Sequence, residues 1–278
     1  IDDGSTAPKL DSMASGKPDV EFTDGEGLTQ RLWICSDEDA ITSFCGDFAG
    51  RKLYIADGHH RYETAINYRN YLREQGLAAE GDACDYVMMM LVAMDHPGLV
   101  VFPTHRVVRS LDHFDSKALL AACEELFELS PAACINCAKH GLDEAYEQGK
   151  KAFALYAEGR FTLLTLKDPS VMAKLMPGAS AALQHLDVSI LHTLVLERIF
   201  GIDKENMANQ KNLTYTRAPG EAIAAVDEGK ANCAFLLNPT RVDEIRDVAL
   251  AGEKMPQKST YFYPKLITGL VMNHIRQV

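Results

Sequence analysis

Basic residues are scarce in this 278-residue chain: 28 Lys and Arg stand against 39 Asp and Glu, a formal net charge of −11. Nucleic-acid affinity rests on neutralising phosphates with Lys and Arg, so general DNA or RNA binding is excluded as a function, while a local basic pocket stays possible. Long apolar runs are missing as well. The longest, residues 87–94, has eight residues, far short of the roughly 20 that cross a bilayer. No membrane partner is expected, and the run reads as a buried strand. The first residues are acidic and polar, unlike a signal peptide. There is no disulfide framework either: the cysteines number seven and are scattered, which points to a reduced, cytoplasmic protein. Cys134 and Cys137 form a C-x-x-C, but no second pair follows at zinc-ribbon spacing. They read as small apolar residues in a helical hairpin, not as a redox or metal site, and no metal ligands are expected. Internal repeats and low-complexity tracts are absent. The single tryptophan, Trp33, is expected in the core.

What is present is an ordinary globular balance, 47% hydrophobic and 24% charged residues, in a chain long enough to bury a sizeable core without staples. Strand-like and helix-like segments alternate. Strands are expected at 32–35, 52–56, 87–94, 98–103, 161–166, 213–215 and 233–237. Helices are expected at 37–48, 60–75, 116–128, 142–157, 186–200, 220–228 and 241–250. The fold class is α/β or α+β, a mixed sheet with flanking helices. A weakly marked boundary is expected between 1–112 and 113–278, the latter an α/β part. The chain begins at Ile1 and not at methionine, so it is expected to be a piece of a longer protein.

Three segments carry chemistry. In Y-I-A-D-G-H-H-R-Y-E-T-A, residues 54–65, an apolar stretch runs into Asp57-Gly58 and a helix begins at once. A helix N-terminus offers free N–H groups and a positive dipole end. Gly58 permits a tight turn. His59, His60 and Arg61 add donors at the same place, and arginine suits bidentate phosphate contact. Asp57 could act as a base or hold Mg²⁺. Helix capping alone would not call for His-His-Arg. The second segment is F-P-T-H-R, where Thr104, His105 and Arg106 follow a short strand; ligand sites collect at strand ends. The third is M-P-Q-K-S-T-Y-F-Y-P-K, in which Gln257, Lys258, Ser259 and Thr260 form a Pro-bounded polar run. All three offer donors and cations, and a phosphate needs several of them together. His60, Arg61, His105, Arg106 and Lys258 are therefore expected to line one cleft with Asp57 at its edge. Asp187 is placed near a helix N-terminus, His185 and His192 are expected packed or half-exposed, and Glu124, Glu125 and Glu128 on a solvated face.

At A-D-G-H-H-R-Y-E-T-A, P-T-H-R and M-P-Q-K-S-T-Y-F-Y-P-K the sequence resembles the bacterial family known as domain of unknown function 1015, over about residues 18 to 275. Members usually carry a further N-terminal segment. The D-G-H-H-R stretch is also similar to the nucleotide-binding motif of the ParB and sulfiredoxin-like superfamily, over about residues 30 to 110. Sulfiredoxins place a catalytic Cys where His59 stands, so their reductase chemistry is not implied. That superfamily includes free-serine kinases. By this resemblance Asp57 would be the base that activates a substrate hydroxyl, and His60 and Arg61 would hold nucleotide phosphates.

The function expected is nucleotide-dependent phosphoryl transfer to a small hydroxylated metabolite, in the manner of a serine kinase, with ATP or ADP and Mg²⁺ as cofactors. Such catalysis is mostly positioning and charge neutralisation. No Walker or protein-kinase signature is present, so the resemblance carries much of this. The alternatives are a nucleotide-binding regulatory module without turnover and a non-catalytic interaction protein.

Overall fold

The computed structural model describes residues 4–25, 27–265 and 267–275. The chain divides into two compact units: one runs to Leu99 and takes in the residues from Thr268 onward, the other spans Val100–Ile267. The 112/113 boundary read from the sequence falls inside the second unit.

The first unit holds α1 (Thr6–Met13), the antiparallel hairpin β1 (Val20–Thr23) and β2 (Thr29–Leu32), α2 (Glu38–Phe48) and α3 (His59–Glu74). The Asp37 carboxylate accepts from the N–H groups of Asp39 and Ala40 and so caps α2, which is why that helix starts where the sequence says. Residues 52–56 take no strand pairing. Nor do residues 87–94: Met88, Met89 and Met90 are all more than half exposed. The buried strand expected there is corrected, because an apolar run becomes a strand only where another edge meets its backbone groups. Trp33 is half-buried and donates to Gly16 O at 3.4 Å.

The second unit opens with β3 (Val100–Val101) and β4 (His105–Val108). It continues through α4 (Ser116–Cys123), β5 (Phe127–Ala132), α5 (Ile135–Glu147), β6 (Ala152–Ala157) and β7 (Arg160–Leu166). Three short helices, α6 (Val171–Leu175), α7 (Ala181–Gln184) and α8 (Asp187–Ile190), lead into a π-helix at Leu191–Glu197. Then come α9 (Lys204–Asn209), β8 (Leu213–Thr216), α10 (Pro219–Asp227), β9 (Cys233–Leu236), α11 (Val242–Leu250) and β10 (Phe262–Tyr263). Six strands form one sheet in the order β5-β7-β6-β9-β4-β8, antiparallel at every pairing, and β10 pairs with β3 apart from it. A helix-flanked sheet was expected; the pairing direction makes it the α+β variant.

Strand alternation decides what covers each face. On β6, Phe153 and Leu155 enter one core cluster, while Ala152 and Ala154 enter the other. The bulky face also takes Val108 and Phe235, and is covered by α4 and the π-helix. The small face takes Val107 and Ala234 and lets α5 and α10 approach through Ala138, Leu142, Ala145 and Ala222. This corrects two expected helices. The first ends at Cys123 and gives way to β5, whose Pro131 is tolerated because β5 is an edge strand. The second stops at Glu147, Gly149 turns the chain at φ 69°, and the Ala-rich residues after it become β6. Alanine favours a helix by propensity, but here it fits a face where helices lie close.

Candidate functional site

Asp57 and Gly58 form the turn into α3. Gly58 is the N-cap, at φ 87° and ψ 23°, a left-handed conformation natural to glycine. A Cβ there would stand 2.9 Å from Arg61 Nη2, so the glycine also lets the guanidinium fold back over the turn. Arg61 Nη2 lies 3.6 Å from Asp57 Oδ2. His60 points outward, 98% exposed, with Nδ1 3.5 Å from Glu63. His59 is half-buried. Helix α3 thus begins directly after the Asp57-Gly58 turn, with His60 and Arg61 exposed on its first turn. The Asp57–Arg61 contact is open to water and contributes at most about 1 kcal/mol.

Thr104, His105 and Arg106 are placed differently from expectation. They do not end a strand; His105 and Arg106 open β4, between β8 and β9, and all three residues are buried. Arg106 pairs in register with Tyr215 and Phe235, so its side chain lies on the bulky face of the sheet. Its exposure is 1%. Nη1 donates to the Thr104 carbonyl, Nε donates to His192 Nε2 at 3.3 Å, and the guanidinium sits 5.5 Å from the Tyr215 ring centre. Nη2 is buried with no hydrogen-bond partner among the described residues. Burial pulls the Arg106 pKa down to about 10, with the Tyr215 hydroxyl acting the other way. Burial, aided by Arg106, pulls His192 down to about 3. Burial, then Arg106 and Lys139, pulls His105 down to about 4. Both imidazoles are therefore neutral at pH 7, which is what His192 needs to accept at Nε2 and His105 needs to accept the Leu237 N–H at Nδ1, 3.2 Å away. His105 supplies no positive charge, contrary to its reading as a cation.

In the third segment Lys258 adopts φ 54° and is exposed, as is Gln257. Ser259 is buried; its Oγ donates to Pro256 O at 2.7 Å and its carbonyl accepts from Thr240 Oγ1 at 2.9 Å. Thr260 is half-buried. Thr104, Arg106 and Ser259 line one small cavity with Asp187, Asn238 and Glu244. The second and third segments therefore meet within one unit, through those three residues.

The sequence placed Asp187 near a helix start but did not mark the half-buried Lys151 and Glu244 close to it. Asp187 opens α8 and its Oδ1 is buried without a hydrogen bond. Lys151 Nζ lies 4.0 Å from it and 3.0 Å from Glu244 Oε1. Desolvation raises the Asp187 pKa to about 7; Lys151 opposes this and Glu244 adds to it. His192 was noticed only as a helix residue. Nothing in its local pattern marks the partner Arg106, 86 residues away in sequence. Among the described residues no group of three or more His, Cys, Asp or Glu could hold a metal ion, and no helix is long and apolar enough to cross a membrane.

Residues 2–189 match the family model described as protein of unknown function DUF1015. The chain belongs to this DUF1015 family. No curated protein matches it. Among solved structures it is similar to a conserved hypothetical protein from Pyrococcus furiosus, at 17% identity and a TM-score of 0.39, over 81% of each chain. It is also similar to a free serine kinase in complex with AMP, at 15% identity and a TM-score of 0.39, over 92% of this chain and 78% of that one. As a DUF1015 protein it carries all three segments on which that resemblance was first drawn, two of them within residues 2–189.

Proposed function

We propose that this protein binds a nucleotide, ATP or ADP, and transfers a phosphoryl group to a small hydroxylated metabolite, with serine as the first acceptor to test. The observation that supports this best is Arg106. Its guanidinium is out of water, has no ion-pair partner among the described residues, and keeps Nη2 unmet beside a polar cavity. Burying a charge costs several kcal/mol unless an opposite charge offsets it. An anionic oxygen on Nη2 would make a charge-assisted bond of about 1.5–3 kcal/mol. A protein this poor in basic residues that buries one unpaired arginine has a use for an anion there.

In this reading Asp57 is the base that takes the acceptor's hydroxyl proton. Gly58, His59, His60 and Arg61 bind phosphate oxygens at the start of α3, through backbone N–H groups and side chains. Within the second unit, Thr104, His105, Arg106, Gln257, Lys258, Ser259 and Thr260 offer donors for an anion, His105 as a neutral one. Mg²⁺ would arrive carried on the nucleotide phosphates. The metal, when bound, would offset phosphate charge.

The test is incubation with ATP or ADP, Mg²⁺ and serine, with phosphoserine detected by mass spectrometry and nucleotide binding followed by calorimetry. Binding without phosphoserine would leave the regulatory reading, and no binding would remove both. The Arg61→Ala substitution is expected to weaken nucleotide binding roughly 10- to 150-fold, the equivalent of one charge-assisted hydrogen bond. Unchanged affinity would take Arg61 out of the site.

A further inference from the structure

Helix α5 carries a feature that phosphoryl transfer does not use. Cys134 is its N-cap, and Cys134 Sγ accepts from the Cys137 N–H at 3.3 Å. The two sulfurs stand 2.9 Å apart, and both residues are exposed. This overturns their reading as small apolar packing residues. The helix is packed down through Ala138, Leu142 and Ala145, which leaves its first turn open on the solvent side. The buried cysteines make a contrast. Desolvation pushes the Cys123 thiol up to about 12 and the Cys233 thiol up as well, so both are inert at neutral pH.

The two exposed thiols are not equivalent. The two sulfurs share a hydrogen bond and the Cys137 N–H donates to Cys134 Sγ; this pairing holds the Cys134 thiol below the usual range and pushes Cys137 above it. The helix start also favours negative charge on Cys134. One sulfur is prepared to attack and the other to follow.

We infer that Cys134 and Cys137 form a redox-active dithiol that exchanges with low-molecular-weight disulfides of the glutathione class, with Cys134 as the attacking and Cys137 as the resolving thiol. In the first step the Cys134 thiolate bonds to one sulfur of R–S–S–R, the S–S bond breaks and RS⁻ leaves. In the second, Cys137 gives up its proton to solvent and its thiolate bonds to Cys134 Sγ, breaking the mixed disulfide and releasing a second RS⁻. Two electrons pass from the protein dithiol to the small disulfide, which ends as two RSH. The sulfurs close from 2.9 Å to the roughly 2.05 Å of a disulfide, with little movement asked of the backbone.

The full chain is equilibrated in mixtures of reduced and oxidised glutathione, quenched with acid, alkylated with N-ethylmaleimide and mapped by peptide mass. The peptide carrying both cysteines is expected to lose two hydrogens and refuse label under oxidising mixtures, and to recover both labels with dithiothreitol. Cys137→Ser is expected to hold a glutathione adduct on Cys134, whereas Cys134→Ser should take far less on Cys137. Both sites lie on the surface, so matching circular dichroism spectra and melts are expected for the variants. The inference is overturned if both thiols stay alkylatable across the range. It is also overturned if Cys134 pairs instead with Cys35 or Cys45, or if the two serine variants take up equal adduct.

Discussion

Asp57→Asn is expected to slow phosphoryl transfer by about 10²- to 10⁴-fold, the usual contribution of a general base, while nucleotide affinity changes little. Asparagine keeps the size and one oxygen but cannot take a proton. The substitution should not disturb the fold. The Asp57 side chain is 52% exposed, and its contact with Arg61 spans 3.6 Å in water-accessible surroundings, where such pairs contribute little. Gly58 supplies the turn into α3 and its own N-cap position, so the helix start does not depend on the carboxylate. Single-turnover rates and calorimetry on the same preparation separate the two effects. Normal turnover in the variant would end the role of Asp57 as base; a parallel loss of rate and affinity would make it a binding residue.

Lowering the pH from 7 to 4.5 is expected to cost the protein on the order of 2 kcal/mol of folding stability through three desolvated groups, two of which oppose the third. His105 and His192 have folded pKa values of about 4 and about 3, against an ordinary 6.5. Between those values the unfolded chain binds protons that the folded one refuses. Their stability is therefore present above about pH 6.5 and is lost as the pH falls. Asp187 runs the other way. Its folded pKa of about 7 lies above the ordinary 3.8, so the folded state keeps a proton that the unfolded state releases, and folding gains as the pH falls. Each pKa unit corresponds to about 1.4 kcal/mol, so two imidazoles outweigh one carboxyl. The surroundings agree with these signs: Arg106 faces both imidazoles, Lys139 acts on His105, and Lys151 and Glu244 flank Asp187. Urea melts at pH 8, 7 and 4.5 on the wild type and on Asp187→Asn provide the test. The substitution removes the opposing term, so the acid loss should steepen. At pH 8 it should raise stability by about 2–4 kcal/mol, because no buried carboxylate is then left to ionise. Wild-type stability that holds at pH 4.5 would mean that the imidazoles are not kept neutral by the fold.

Local chemistry was legible in the residues themselves. Asp37 marked the start of α2, and Asp57-Gly58 the turn into α3. These depend on groups within a few positions of each other: a carboxylate reaching the next N–H groups, or a glycine free to take positive φ. Family membership was legible in the three segments together. Pairing was not. Residues 52–56 and 87–94 have strand composition, yet no edge meets them, while the Ala-rich residues of β6 have helix composition and form an inner strand. Whether a backbone segment becomes a strand depends on a partner distant in sequence, and no local preference contains that partner. The same holds for the site. Arg106 could be named as a cation from F-P-T-H-R, but its burial between Tyr215 and His192, and the unmet Nη2, arise from β8 and the π-helix folding onto β4. Desolvation is a property of what surrounds a group, so the neutral imidazoles and the raised Asp187 were decided by the tertiary structure alone.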